Sequence, residues 1–265
     1  MITILTPTYN RAYTLQRLFD SLITQEDMNF EWLIVDDGST DTTKDLIHSF
    51  DEKKLINIRY FYQENMGKPS AINLGIKKSS RDYILIVDSD DIVTSDCVHI
   101  IASEIESHLD DGHDFSGLCF RRGNLEGNVL GRKIIRENLK CKLYHSTDIK
   151  NIFKGDMAYC FKKSYMEKHY FPKIRDEKFV PELFIWNKIT DSDLVYTYAN
   201  KMIYLGEYMV DGLSANFKSQ FKKNPNGFLL YYKDQFKREK NVLNKTKMIV
   251  RALQCYGYRA LGLIR

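Results

Sequence analysis

The chain reads as an α/β protein: a largely parallel sheet with helices on both faces. Three observations carry this reading. Short apolar runs recur through the first hundred positions, each bounded by turn residues. Between them lie segments whose apolar residues repeat at helical spacing. After the runs come polar, Asp-rich loops, at the strand ends where open parallel sheets bind ligands.

Residues 2–6 form a β-rich run that opens the sheet. Residues 12–24 carry Leu15, Leu18, Leu22 and Ile23 on one helical face. Trp32, Leu33, Ile34 and Val35 make a buried strand that stops at Asp36-Asp37-Gly38-Ser39. Residues 42–50 read as a helix and 58–62 as a strand. Residues 68–78 read as a helix, with Ile72 and Ile76 on one face. Residues 83–87 are an apolar strand running into Asp88-Ser89-Asp90-Asp91, and 95–105 are helical again. The crossovers are expected to be right-handed. Beyond Phe115 the alternation breaks down into a mixed α+β half. Strands are expected at 115–120, 157–161 and 203–208, and helices at 163–168 and 182–190. From Lys218 onward the chain looks helical, with basic and aromatic residues interleaved.

Composition bounds the function. At 265 residues and 31.1 kDa, with 43% hydrophobic and 28% charged residues, the chain is globular and long enough to need no disulfide staples. The net charge is only +4, but it is unevenly distributed. From Lys218 to Arg265 there are 12 Lys or Arg against 2 Asp or Glu, a net of +10. The remainder is a mildly acidic body of net −6. That asymmetry implies a partner for the basic segment. The five Cys include no C-x-x-C pair, which fits reduced thiols in a cytoplasmic protein. The first residues lack the pattern of a secretory signal, and no run reaches the ~18 apolar residues of a membrane span.

Several motifs exclude by failing. No G-x-G-x-x-G is present, which argues against an NAD Rossmann site. Gly67-Lys68-Pro69-Ser70 lacks a P-loop's first Gly, where Tyr62 stands, and its Ser or Thr after Lys, where Pro69 stands. His108 and His113, with Asp110, Asp111 and Asp114, read better as a solvated loop than as a zinc site. The Asp88, Asp90, Asp91 cluster has two readings. Taken alone it is a strand end followed by a helix cap near Ser95. Packed carboxylates also repel, and a divalent cation with oxygen ligands relieves them.

Taken together and in order, these segments resemble the family 2 glycosyltransferases of the GT-A fold. The match is carried by Thr6-Pro7-Thr8-Tyr9-Asn10-Arg11, by Ile34 and Val35 leading into Asp36-Asp37-Gly38-Ser39-Thr40-Asp41, by Asn65-Met66-Gly67-Lys68 with Asn73 and Gly75, and by Asp88-Ser89-Asp90-Asp91. It thins through the middle and returns at Glu177-Lys178-Phe179-Val180-Pro181-Glu182 and from Tyr208 to Ser214. The resemblance implies a Rossmann-like nucleotide-binding α/β sandwich with a mixed central sheet, plus a C-terminal helical extension. The implied organisation is a catalytic domain over 1–217, with a nucleotide-sugar-binding half at 1–110 and an acceptor-side half at 111–217. A basic helical extension occupies 218–265.

The resemblance also assigns roles. Thr6, Pro7, Thr8 and Tyr9 would hold the base, with Arg11 in the same loop, and Asp36 would accept a hydrogen bond from uracil N3–H. Gly67 and Lys68 would lie near the base or phosphates. Asp88, followed by Ser89, would reach the ribose or the metal, and Asp90 would coordinate Mn²⁺ or Mg²⁺ bridging the diphosphate. Glu182 resembles the catalytic base. Read on its own, it is an ordinary first-turn Glu favoured by the helix dipole. Many relatives carry a second acidic residue directly after it, and here that position is Leu183. Asp176 and Glu177 are weaker alternatives. Phe184 and Trp186 sit at helical spacing and are expected in the core. Tyr208 and Asp211 would approach the donor.

The implied activity is inverting transfer from a nucleotide sugar, UDP-linked, to a glycan or lipid-linked saccharide in a bacterial surface polysaccharide pathway. Two other classes compete: a sugar-phosphate nucleotidyltransferase, whose glycine-rich N-terminal signature is missing, and an inactive nucleotide- or carbohydrate-binding module. The basic extension either docks on an anionic membrane at the inner face of the cell membrane or packs on the body; flotation with anionic liposomes separates the two. Nucleic acid is disfavoured by the acidic body and the absence of any recognised module.

Overall fold

The computed structural model describes residues 1–109, 112–133, 141–207, 209 and 216–262. Asp110, Asp111, Tyr208 and Asp211 lie outside the described residues. The first half runs β1 (Ile2–Thr8), α1 (Ala12–Ile23), β2 (Phe30–Asp36), α2 (Thr43–Glu52), β3 (Ile58–Tyr62), α3 (Lys68–Lys78), β4 (Tyr83–Ile86), β5 (Ile92–Val93) and α4 (Cys97–Ser107). The second runs β6 (Gly117–Gly123), β7 (Cys141–Tyr144), α5 (Ser146–Phe153), β8 (Met157–Lys162), α6 (Lys163–Met166), α7 (Leu183–Ser192) and β9 (Val195–Leu205). Three helices follow: α8 (Phe217–Lys223), α9 (Pro225–Arg238) and α10 (Val242–Gly262).

The strands form one mixed sheet in the order β3-β2-β1-β4-β8-β6-β9-β5, with β7 paired to β9. β1 lies parallel to β2 and β4, and β2 parallel to β3. β8 runs antiparallel to both β4 and β6, so β4 is where the parallel half gives way to the mixed half. The two-residue strand β5 pairs with the end of β9. The mixed α/β sheet with helices on both faces is the architecture expected from the alternation of strand and helix signals.

Side-chain alternation along each strand divides the core in two. Ile2, Ile4, Trp32 and Ile34 face α1, α2 and α4, where Leu15, Leu18, Ile47, Phe50 and Ile101 meet them. Leu5, Leu33 and Val35 face the other way, onto Ile72 and Ile76 of α3 and, across the sheet, α5 and α7. α3 comes close to β1 because Gly75 has no side chain: a Cβ there would stand 2.2 Å from Leu5 Cδ1.

The structure departs from expectation in its strands and in one helix. The strand expected at 203–208 is the end of an 11-residue strand, β9, whose first residues begin at Val195. β5, β7 and α5 were not expected. The basic segment is helical as expected, and among the described residues it forms three helices. Pro225, in the first turn of α9, cannot continue α8 because it lacks an N–H and clashes with the preceding turn. At Glu239 the backbone turns extended and ends α9.

These helices pack on the body. Phe221, Phe228, Leu229, Tyr232 and Cys255 form a third cluster, and the ring of Phe179 of the body packs tilted against Phe228 with centroids 5.3 Å apart. A buried carboxylate ties the same junction. Glu239 accepts from Lys150 Nζ at 2.9 Å, Asn151 Nδ2 at 3.0 Å, Gln235 Nε2 at 2.9 Å and Asn244 Nδ2 at 3.0 Å. Burial alone would raise its pKa, but these bonds hold it down to about 2. A depressed folded value adds stability that is present above the unfolded value of about 4.3 and is lost as pH falls towards 2. Glu239→Ala should therefore destabilise the protein by about 2 kcal/mol at pH 7, because it strands Lys150 and Gln235. Urea unfolding at pH 7 and pH 3 reads this, and the gap between variant and wild type should narrow at pH 3. A change under about 0.5 kcal/mol at pH 7, the size of an ordinary surface substitution, would contradict it.

α10 buries only Cys255 and leaves Val242, Leu243, Leu253 and Leu261 between 63% and 75% exposed. Among the described residues no helix is long and apolar enough to cross a membrane. None of the five cysteines is in a disulfide.

Candidate active site

The carboxyl ends of β1, β2 and β4 open into a cleft of about 1810 Å³. Pro7 and Thr8 at the end of β1 line it, with Tyr9 and Arg11 just after, Gly67 and Lys68 where α3 begins, and Asp88 to Asp91 after β4. Glu182, immediately before α7, faces them from the other half of the chain. Pro7 is tolerated inside a strand because β1 pairs with β4 only as far as Leu5, so its missing N–H leaves no partner bereft on that side.

The Thr8 hydroxyl is buried and finds no hydrogen-bond partner among the described residues, while Tyr9 beside it is 46% exposed. Buried hydroxyls are normally satisfied, so one without a protein partner in a cleft is placed to meet a polar ligand atom. Gly67 adopts φ +92°, and a Cβ there would lie 2.0 Å from the Lys178 carbonyl oxygen. Only glycine lets this loop pass so close to the opposite wall.

The carboxylates of Asp88, Asp90 and Asp91 offer oxygens that all lie within 4.8 Å of one another. Among the described residues this is the one cluster of His, Cys, Asp or Glu placed to hold an ion. Its electrostatics are strained. Burial and the Asp88 charge raise the Asp90 carboxyl above its usual range. Burial pushes Asp91 up to about 7, although Arg122 Nη2 sits 2.7 Å from it and the Tyr204 hydroxyl donates to it at 2.7 Å. Burial would raise Asp88 as well, but the charges of Lys68 and Arg122 pull it below its ordinary value.

Lys68 is the hub. Its ammonium lies 2.6 Å from Asp88 Oδ1 and 2.7 Å from Glu182 Oε1. These two carboxylates overcome the cost of burial and raise the Lys68 pKa. One cation thus joins the acidic loop of the first half to the isolated glutamate of the second.

Two residues expected at the site stand elsewhere. Thr6 is fully buried, and its hydroxyl accepts from the Trp32 indole N–H at 3.0 Å, so it belongs to the core. Asp36 is 1% exposed and does not line the cleft. Its oxygens accept from the Ser39 N–H and the Tyr60 hydroxyl, each at 2.8 Å. Its neighbour Asp37 lines the cleft instead, accepting from the N–H groups of Met66 and Gly67 at 2.8 and 2.7 Å and so pinning the loop before Lys68. Ser89 lines the cleft but is 6% exposed. Of the weaker base alternatives, Glu177 is committed to the start of α9, accepting from the Asn226 and Gly227 N–H groups at 2.8 Å each. Phe184 and Trp186 are buried as expected, although Trp186 also borders the cleft. His108 is less solvated than expected: it stacks on Tyr196 at 3.6 Å and meets the Tyr198 hydroxyl at 2.7 Å. Sequence reasoning missed Arg122 and Tyr204, which lie far along the chain from the acidic loop they brace; no local signal marks them.

A cleft lined by polar side chains at the carboxyl ends of parallel strands is where open α/β sheets bind their ligands. The chain belongs to glycosyl transferase family 2, whose family model matches residues 3–175, and its fold is GT-A. Glu182 lies beyond the matched span. An uncharacterized glycosyltransferase of Haemophilus influenzae is 28% identical over 246 residues, covering 91% of this chain and 89% of that protein. A longer uncharacterized glycosyltransferase of Rickettsia felis is 34% identical over 129 residues, 49% of this chain, and the match spans only 21% of that relative's length. Among solved structures, Staphylococcus aureus TarS residues 1–349 in complex with UDP-GlcNAc superposes with a TM-score of 0.70 at 16% identity, covering 97% of this chain and 72% of that one. A mannosyltransferase from Pyrobaculum calidifontis in complex with GDP-Man and Mn²⁺ gives 0.61 at 16% identity, covering 99% of this chain and 74% of that one.

Proposed function

We propose that the protein transfers a sugar from a UDP-sugar donor, with inversion, to a hydroxyl of a glycan or lipid-linked glycan destined for a bacterial surface polysaccharide. The observation that carries this is the Lys68 bridge, which brings the candidate metal carboxylate Asp88 and the candidate base Glu182 to a single ammonium. The donor class is supported by the nucleotide-sugar complexes among the structural neighbours. The pathway is supported by a local match to the Staphylococcus aureus poly-beta-1,6-N-acetyl-D-glucosamine synthase, 37% identical over 95 residues, which span 36% of this chain and 23% of that protein.

In this reading the Thr8 hydroxyl, Pro7 and the Tyr9 ring receive the base, with Gly67 leaving room for it. Arg11 and Lys68 face the diphosphate. Asp88 and Asp90 are the ligands for Mn²⁺ or Mg²⁺: the donor set is all carboxylate oxygen, the pattern hard divalent cations prefer, and its mutual repulsion is what such an ion relieves. When bound, the ion stabilises the negative charge that collects on the departing diphosphate. Glu182 accepts the proton of the acceptor hydroxyl as its oxygen bonds to the anomeric carbon and the carbon–phosphate-oxygen bond breaks on the opposite face. Lys68 holds Glu182 beside the donor until the diphosphate competes for its ammonium. The exposed apolar face of α10 supports a peripheral membrane position for residues 218–265, from which a lipid-linked acceptor is reached.

A thermal-shift screen of nucleotide sugars with and without Mn²⁺ tests the reading. One UDP-sugar should raise the melting temperature with Mn²⁺ present, since a ligand held at a hundred times its Kd adds about 2.7 kcal/mol. The same donor should release UDP on incubation. No shift and no release with any nucleotide sugar would sink it.

A further inference from the structure

Glu182 stands at the junction of a loop with α7, and the chain on both sides of it is fastened to one element, α9. Before it, Glu177 closes the start of α9. One of its carboxylate oxygens accepts from the Asn226 N–H at 2.8 Å and the Asn226 side-chain amide at 2.7 Å, and the other from the Gly227 N–H at 2.8 Å. The Phe179 carbonyl lies so close to the helix that a Cβ on Gly227 would stand 2.1 Å from its oxygen. After it, in the second turn of α7, the fully buried Asn187 donates to Gln235 of α9 at 3.0 Å. The opposite side of the segment meets the first half of the chain. Lys178 Nζ donates to Asn65 Oδ1 at 2.6 Å, and the Lys178 carbonyl fills the space left beside Gly67.

The capping of α9 is arranged unusually. Asn224 holds the N-cap position, where an Asn side chain normally accepts from the first turn, yet it makes no cap bond. It accepts from the Lys178 N–H at 2.8 Å and donates to the Gln220 carbonyl at 3.0 Å. The cap is supplied from 49 residues away by Glu177. A local cap would satisfy the helix equally well; exchanging it for a remote one ties down the segment that leads to Glu182. We infer that α9 is the positioning element for the base, with Glu177 and Asn224 as positioning residues that act through Glu182. The inference rests on the transferase reading above. Lys68 restrains the Glu182 carboxylate until a diphosphate competes for its ammonium, and from then on the clamped backbone keeps it aimed at the acceptor hydroxyl.

The test uses the full chain with its UDP-sugar and Mn²⁺. Glu177→Ala should lower kcat about tenfold to a hundredfold, the cost of a misplacement of about 1 Å, and leave the donor KM within about threefold. Glu177→Gln keeps an accepting oxygen and should recover part of the loss, and Asn224→Ala should move kcat in the same direction. Glu31→Gln is the control. It disturbs a buried carboxylate at the far ends of the strands, where Thr3, Ser80 and Arg59 hold it, and should leave kcat unchanged. Added to Glu182→Gln, Glu177→Ala should change the residual rate less than about twofold, because residues that act as a unit are not additive. Additive losses, or an equal fall in Glu31→Gln, overturn the inference. Amide exchange reads the clamp without activity: residues 178–186 should exchange faster in Glu177→Ala, and the acidic loop after β4 should not. Unchanged exchange at 178–186 overturns it as well. Failure of the transferase reading looks different: wild-type protein then releases no UDP from any UDP-sugar, while exchange in Glu177→Ala still rises.

Discussion

Glu182→Gln should reduce sugar transfer by about 10²- to 10⁴-fold, the span that a positioned general base contributes. The amide keeps the size of the carboxylate and its oxygen still accepts from Lys68, so the Lys68–Asp88 contact survives the change. Donor affinity should stay within about threefold of wild type, since Asp88 still holds Lys68 and the change removes one charge of a part-exposed pair, worth about 1 kcal/mol. The loss therefore falls on kcat and leaves the donor KM nearly in place, which single-turnover kinetics and UDP binding read separately. A variant with undiminished turnover would remove Glu182 from the base role and return it to Asp176, because Glu177 is occupied in capping α9.

Asp90→Asn should cost about 4 kcal/mol of transition-state stabilisation, roughly a thousandfold in rate, and with it the response to Mn²⁺. The thermodynamic signature has the opposite sign from that of a structural residue. Asp90 is raised by burial and by the Asp88 charge, so removing its charge relieves repulsion in the metal-free protein. Melting temperature without metal should not fall, while the Mn²⁺-dependent gain in the presence of UDP should disappear. An unchanged Mn²⁺ dependence of rate and melting temperature would refute the assignment.

The parts of this fold visible in the sequence are those with a local signature. β2 is legible because four apolar residues run without a break into Asp36, as a strand buried on both faces must. α1 is legible because Leu15, Leu18 and Leu22 repeat on one face. β9 was half-read because Val195-Tyr196-Thr197-Tyr198 is followed by Asn200 and Lys201, a polar interruption that resembles a turn. In the structure that stretch coincides with a register irregularity against β6, which absorbs it without ending the strand. β7 is four residues, too short for a pattern, and exists only because β9 offers an edge.

The site divides in the same way. Asp88, Asp90 and Glu182 were legible as residue types in motifs. Which of Asp36 and Asp37 lines the cleft was not, because both are nearly buried and the choice depends on Tyr60 claiming one and the Met66 and Gly67 N–H groups the other. The resemblance places Thr6 at the base, but strand alternation carries its hydroxyl to Trp32. The Lys68 bridge spans more than a hundred residues of chain, and no local pattern encodes such a contact.

The two-residue strand β5 bears on how the acidic loop meets an ion. Leu5 fixes the loop's entry by accepting from the Val87 N–H at 2.9 Å, and the pairing of Ile92 and Val93 with β9 fixes its exit. Inside, the Asp91 N–H returns to the Asp88 carbonyl at 3.1 Å, and the Tyr204 hydroxyl accepts from the Asp88 N–H at 2.9 Å. A free loop of this length would lose about 1–2 kcal/mol of backbone entropy per residue on closing around a cation. Here that freedom is already gone when the chain folds, so cation binding need not order the loop. The ion's arrival should be fast and nearly silent in backbone amide exchange, and the conformational response should fall on the side chains of Lys68 and Glu182.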